Sequence, residues 1–158
     1  MNTTARLRAA ALLAMAFLLA PACSDQGPQD ELLGYVQNAR ARWRSVRPDR
    51  YSYDLYRICE CTPEMAGPVS VTAQGSGAVA WRYDDGTEVG AALRPFFPSV
   101  DGLLDLIEDA IREGAFEVTV QYDQVTGVPV EFRIDYEQLV FDEEASYRVE
   151  RMPTEISG

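Results

Sequence analysis

Phe116-Glu117-Val118-Thr119-Val120-Gln121-Tyr122 and Val128-Pro129-Val130-Glu131-Phe132-Arg133-Ile134-Asp135-Tyr136 decide the fold. Both runs alternate between apolar and polar side chains. This is the period of a strand with one face in a core and the other in water. Phe116, Val118, Val120 and Tyr122 are expected to face inward in the first. Val128, Val130, Phe132, Ile134 and Tyr136 are expected inward in the second. Asp123 to Gly127 reads as the hairpin loop between them. One-sided alternation belongs to antiparallel sheets, because strands of a buried parallel sheet read as continuous apolar runs.

The pattern extends in both directions. Upstream, Ser99 or Asp101 can cap a helix running to about Glu113, with Leu103, Leu104, Ile107, Ala110 and Ile111 on its buried face and Gly114 as its stop. Downstream, after Asp142-Glu143-Glu144, a last strand sets Ala145, Tyr147 and Val149 on one face. The N-terminal half repeats the plan. A helix from Gln29 to Arg47 carries the stripe Leu32, Val36, Ala39, Trp43 and Val46, and Pro48 ends it. Tyr51 to Cys61 reads as a strand with Tyr51, Tyr53, Leu55, Cys59 and Cys61 on one face, interrupted by Arg57. Val69–Ala73 and Ala78–Tyr83 follow, joined at Gly75-Ser76-Gly77, and Asp84-Asp85-Gly86 makes another turn. Arg94 to Pro98 is expected to be a packed loop. The order is helix, three strands, helix, three strands. It predicts one α+β domain: an antiparallel sheet of about six strands with two helices packed on one face.

The first residues read as an address. Arg6 and Arg8 precede the apolar run Ala9–Ala20 and then Pro21-Ala22-Cys23, the pattern of a secretory signal peptide. The run falls short of the roughly 20 apolar residues that span a bilayer. Leu19-Ala20-Pro21-Ala22-Cys23 resembles the lipobox of bacterial lipoproteins. That resemblance implies cleavage before Cys23 and acyl chains on Cys23 that hold the protein to a membrane. Pro21 departs from the usual small residue at its position. The alternative is a plain cleaved signal with an incidental cysteine. The division is then residues 1–22 as signal, 23–28 as a lipidated tether and 29–158 as the domain.

Composition excludes more than it assigns. There is no lysine and no histidine, so all 14 basic residues are arginine against 25 acids. The net charge of −11 becomes −13 once Arg6 and Arg8 leave with the signal. Such a surface repels nucleic acid and anionic headgroups, leaving acyl chains as the route to a membrane. Without His or Lys there is no Ser-His-Asp triad, no His-metal site, no Schiff base and no P-loop lysine. A non-enzymatic protein without cofactors is expected.

Few residues could still carry chemistry. With Cys23 acylated, Cys59 and Cys61 remain as an even pair in an oxidising compartment, and an intramolecular disulfide is expected. On a regular strand their Cα atoms would be about 6.5 Å apart, so a bridge needs a local bend. Cys59, Cys61 and Met65 could alternatively form a soft set for Cu(I), or the pair could be redox-active. Asp123, Asp135 and Asp142-Glu143-Glu144 could converge on calcium or supply a carboxylate pair, but a solvated turn is the expectation. Arg40, Arg42, Arg44, Arg47 and Arg50 crowd the end of the first helix, where they suit its dipole and could pair with the acidic sheet.

Trp43, Tyr51-x-Tyr53, Cys59-x-Cys61, Asp101-Gly102-Leu103-Leu104 and Val118-x-Val120-x-Tyr122-Asp123 occur in that order. Gly127-Val128-Pro129, Ile134-Asp135 and Asp142-Glu143-Glu144-x-x-Tyr147 complete the series. The set resembles the bacterial lipoprotein family catalogued as domain of unknown function 6174, over roughly Arg40 to Met152. The resemblance implies an envelope protein and adds no catalytic residues. The expected function is therefore a lipid-anchored envelope domain, exposed outside the cytoplasm, that binds another envelope protein, for which an open sheet edge would suffice. A thiol-redox or Cu(I)-handling role for Cys59 and Cys61 is the alternative.

Overall fold

A computed structural model describes residues 27–137 and 144–157. Cys23 and the leader lie outside the described residues, as do Asp142 and Glu143. Ten elements follow in order: α1 (Pro28–Val46), β1 (Arg50–Ile58), a single-turn α2 (Pro63–Ala66), β2 (Val69–Gln74), β3 (Gly77–Tyr83), a 3-10 turn (Arg94–Phe96), α3 (Val100–Glu113), β4 (Glu117–Tyr122), β5 (Pro129–Asp135) and β6 (Ala145–Glu155). The strands form one antiparallel sheet in the order β3-β2-β1-β6-β5-β4.

Local chemistry explains the helices. In α1, Pro28 takes the first turn, where its missing N–H costs nothing, and Asp30 and Glu31 complement the dipole. In α3, the Ser99 Oγ accepts the Gly102 N–H at 3.1 Å, and Gly114 closes the C-terminus in the left-handed conformation at φ 78°. Val36, Ala39 and Trp43 of α1 and Leu103, Leu104, Ile107 and Ala110 of α3 share one core with Tyr51, Tyr53, Leu55, Val69, Val71, Phe132 and Ile134 of the sheet. Both long helices thus cover the same face. The opposite face is polar, and there Arg151 of β6 holds Asp54 of β1 through two contacts of 2.7 Å.

Several expectations are corrected. Leu32 and Val46 continue the α1 stripe but remain 36% and 47% exposed, because they overhang the ends of the core. Phe116 precedes β4 and is 54% exposed rather than inward. The last strand runs on to Glu155, since β1 pairs with it as far as Tyr51 opposite Glu155. The Arg94–Pro98 segment is packed as expected: Phe97 is fully buried, and its carbonyl accepts the Trp81 indole N–H at 2.7 Å. No described helix is long and apolar enough to cross a membrane.

Candidate functional site

Three groups of residues singled out by the sequence, and one groove that it did not reveal, are the candidates. The first is the sulfur set. β1 ends at Ile58, not Cys61. Its last partner is Ser146, at the start of β6, so beyond Ile58 no ladder holds the chain extended. The backbone bends through Cys59–Cys61 before Pro63 opens α2. The bend brings the two Cα atoms to 5.3 Å, within the usual disulfide range, and the sulfurs lie at bonding distance. Cys59, Cys61 and Met65 line one cavity of about 610 Å³. A bridged pair offers no thiolate to Cu(I). Among the described residues, no three or more His, Cys, Asp or Glu gather as a metal cluster.

Of the arginines at the end of α1, Arg40 and Arg47 pair with α3 rather than with the sheet. Arg40 reaches Asp105 at 2.7 Å and Glu108 at 2.9 Å. Hydrogen bonds from Arg112 and Arg40 hold the Glu108 carboxyl below its ordinary range. Deeper in, Asp101 Oδ2 accepts the Trp43 indole N–H at 2.9 Å, and both Asp101 oxygens accept from Arg47 Nη1. The two helices are therefore locked by side chains that the sequence offered to the helix dipole and the acidic sheet.

The described acids do not converge. Asp123 follows β4 at one end of the hairpin, while Asp135 lies opposite Glu117 at the other. Asp123 Oδ1 accepts from the Thr126 and Val125 backbones and the Thr126 hydroxyl, bonds that lower its pKa and close its own turn. Glu144 binds Arg133 at 2.6 Å.

The groove lies beside the sheet edge. Among the described residues β4 pairs with β5 alone, and no other strand lies along its outer edge. Its inward residues Val118, Val120 and Tyr122 are only half-buried. With Leu32, Tyr35 and Ile111 they line a groove of about 490 Å³ whose other lining side chains, Gln121 and Gln124, are also uncharged. Burial pushes the Tyr122 hydroxyl up to about 12 against the pull of Arg40 and Arg42. The hairpin is seated on α1 at Gly127, where a Cβ would stand 2.1 Å from the Ala39 carbonyl oxygen and φ is +77°. The opposite edge of the sheet is blunted: the Val89 N–H donates to Trp81, the Tyr83 N–H to Thr87, and Arg82 bridges to Glu88. The alternation of β4 was legible, but its incomplete cover was not. The exposed Tyr35 (55%), about a sixth of a turn from the centre of the α1 stripe, was the available signal.

No curated protein and no solved structure matches the chain. One family model does, that of a family of unknown function (DUF6174), over residues 35–153. The match takes in α3, most of α1 and all of the sheet but the last two residues of β6, and the chain belongs to that family.

Proposed function

We propose that this is a lipid-anchored, non-enzymatic protein of the cell envelope that binds a protein partner by strand addition at β4. The observation that carries the reading is the asymmetry of the sheet edges. The β3 edge is capped by its own chain, whereas β4 offers free backbone groups beside an uncharged groove. An extended segment laid along β4 would satisfy those groups, and its alternate side chains would fill the groove. β4 contains neither Lys nor Pro, two devices that commonly guard an edge. The leader pattern ending at Cys23 supports the anchor. Four residues separate Cys23 from Pro28, a reach of at most about 18 Å, which would keep the α1 end of the groove near the bilayer. The absence of His and Lys from the chain supports a binding role over a catalytic one.

Site-specific photo-cross-linking in the native host tests the reading. A photoreactive residue at Thr119 or Gln121 should give one discrete protein adduct, and one at exposed Ser45 should not. The adduct should disappear in Val120→Asp. An adduct that persists in that variant, or that forms equally from Ser45, rejects β4 as the binding edge. In parallel, Cys23→Ala should release the protein from washed membranes. Retention in high-salt, detergent-free buffer would place the anchor elsewhere.

A further inference from the structure

The Cys59–Cys61 bridge fastens nothing that the fold needs fastened. Both cysteines belong to one bend between β1 and α2, and their separation in sequence is two. The bridge therefore joins no two elements, and so small a ring takes little freedom from the unfolded chain. The β1–β6 ladder ends with Ile58 opposite Ser146, before the first cysteine, so opening the bridge breaks no strand pairing. The bridge is also within reach. Both cysteines are only half-buried, with exposed Glu60 between them, and both line the open cavity of about 610 Å³. A thiolate can attack an accessible disulfide, whereas burial protects a structural one.

The lining of the same cavity narrows the thiol. Ile58, 41% exposed, and Met65 give it an apolar wall. Its two arginines are engaged elsewhere: Arg57 stacks 4.6 Å from the centroid of the Phe96 ring, and Arg133 is held by Glu144 at 2.6 Å. Glu60 and Glu144 also line it, in a chain of net charge −11. An anionic thiol such as glutathione is disfavoured there, and a neutral thiol with an apolar neighbour is favoured. We propose that the bridge is a thiol–disulfide exchange site for a polypeptide dithiol whose cysteines are flanked by apolar residues. A thiolate of that partner attacks one bridge sulfur, forms a new S–S bond to it and expels the other cysteine as a thiolate, which takes up a proton. The partner's second thiolate then attacks the mixed disulfide and releases the first cysteine, which is protonated in turn. The partner dithiol gives up two electrons and two protons and becomes a disulfide, and the bridge becomes two thiols. The site shares no lining residue with the groove beside β4, and neither proposal depends on the other.

The test mixes the purified, oxidised protein with a reduced peptide, acetyl-Leu-Cys-Gly-Pro-Cys-Leu amide. A synthetic oxidised peptide of residues 56–64 carries the same bridge without the Met65 wall and is the reference. Acid quenching and mass analysis follow the exchange at Cys59 and Cys61. We expect the apolar dithiol to open the protein's bridge at least about tenfold faster than the reference's, because the wall holds the attacking thiol in place. The peptide should be recovered as its own disulfide. Glutathione should show no such gain, and Met65→Ala should keep the bridge and lose most of the gain. If that variant does not fold, the two thiols on the native protein decide alone. Equal rates on protein and reference overturn the proposal, since the bridge is then accessible and nothing more. A bridge that stays closed in the protein while the reference opens overturns it as well. A gain as large with glutathione overturns the choice of an apolar polypeptide thiol. A gain unchanged in folded Met65→Ala overturns the cavity as its source.

Discussion

β2 and β4 are nearly the same strand in sequence. Val69-Ser70-Val71-Thr72-Ala73 and Val118-Thr119-Val120-Gln121-Tyr122 alternate with the same period, and each places three apolar residues on the helix-covered side. Yet Val69, Val71 and Ala73 are fully buried, whereas Val118, Val120 and Tyr122 are half open. Alternation reports which side of a sheet a residue takes. How deeply that side is covered depends on neighbours. β2 has a strand on each flank, and its Val71 faces Trp81, whose indole is tied to Phe97. β4 has one flanking strand and the overhanging end of α1. The closed half of the sheet holds the fold together, and the open half is where a partner could add to it.

The strongest test of the closed half is Asp101→Ala. Asp101 is buried with its oxygens shared between the Trp43 indole and Arg47, so its removal strands a buried N–H and a largely covered cation. Breaking such a pair from one side costs about 3–5 kcal/mol. Thermal denaturation should register this as a fall in Tm of roughly 10 °C. A fall of only a degree or two would mean that the two helices are held by apolar packing alone.

Val71→Ala and Val120→Ala set the two strands against each other directly. The chemistry removed is identical, so any difference reports cover. Val71→Ala should cost about 2 kcal/mol, from lost burial and the cavity left behind. Val120→Ala should cost about half as much or less, since part of its side chain is already in water. Urea denaturation of both variants reads the difference. Equal costs would show that β4 is as well covered in solution as β2.

Much of this was legible in advance. The helix caps at Ser99 and Gly114, the stripe Val36-Ala39-Trp43, and the sided alternation of five strands follow from local rules, and the α+β sheet follows from them. What local rules could not supply was partnership. β1 stops at Ile58 because β6 begins opposite it, a fact about strand pairing that Cys59 and Cys61 do not signal. Arg40 and Arg47 choose Asp105, Glu108 and Asp101 because α1 packs on α3, and no spacing within α1 announces that. Arg57 was visible as an interruption of its face, but its stacking on Phe96 appears only in three dimensions.

The bridge at the end of β1 should matter less than either strand. Its ring closes across a separation of two residues, so it removes little freedom from the unfolded chain. The loop-closure relation gives about 1.5 kcal/mol for so short a ring. Cys59→Ser with Cys61→Ser should therefore fold and lose no more than that in urea. Intact-mass analysis of freshly isolated protein, alkylated under denaturing and non-reducing conditions, should find neither thiol free. Two alkylated cysteines at these positions would reject the bridge and return the Cu(I) alternative to consideration.

The smallest expected effect concerns acid and the outer face of the closed half. Asp54 is held below its ordinary 3.8 first by the hydrogen bond from Arg151, against a contrary push from partial burial. A carboxylate with a lowered native pKa stabilises the fold above its unfolded pKa, and that stability is lost as pH falls through the native value. The difference in stability between the native protein and Asp54→Asn should be under about 1 kcal/mol at pH 7, because the Arg151 side chain is 45% exposed and solvent screens the pair. It should hold constant down to about pH 5 and close below about pH 4. The chain has no histidine to add a transition between those limits and neutrality. Denaturant midpoints of the two proteins from pH 7 to pH 2 check the sign. A gap that widens toward acid would show that Asp54 is destabilised in the fold, and that Arg151 spends its charge elsewhere on the sheet.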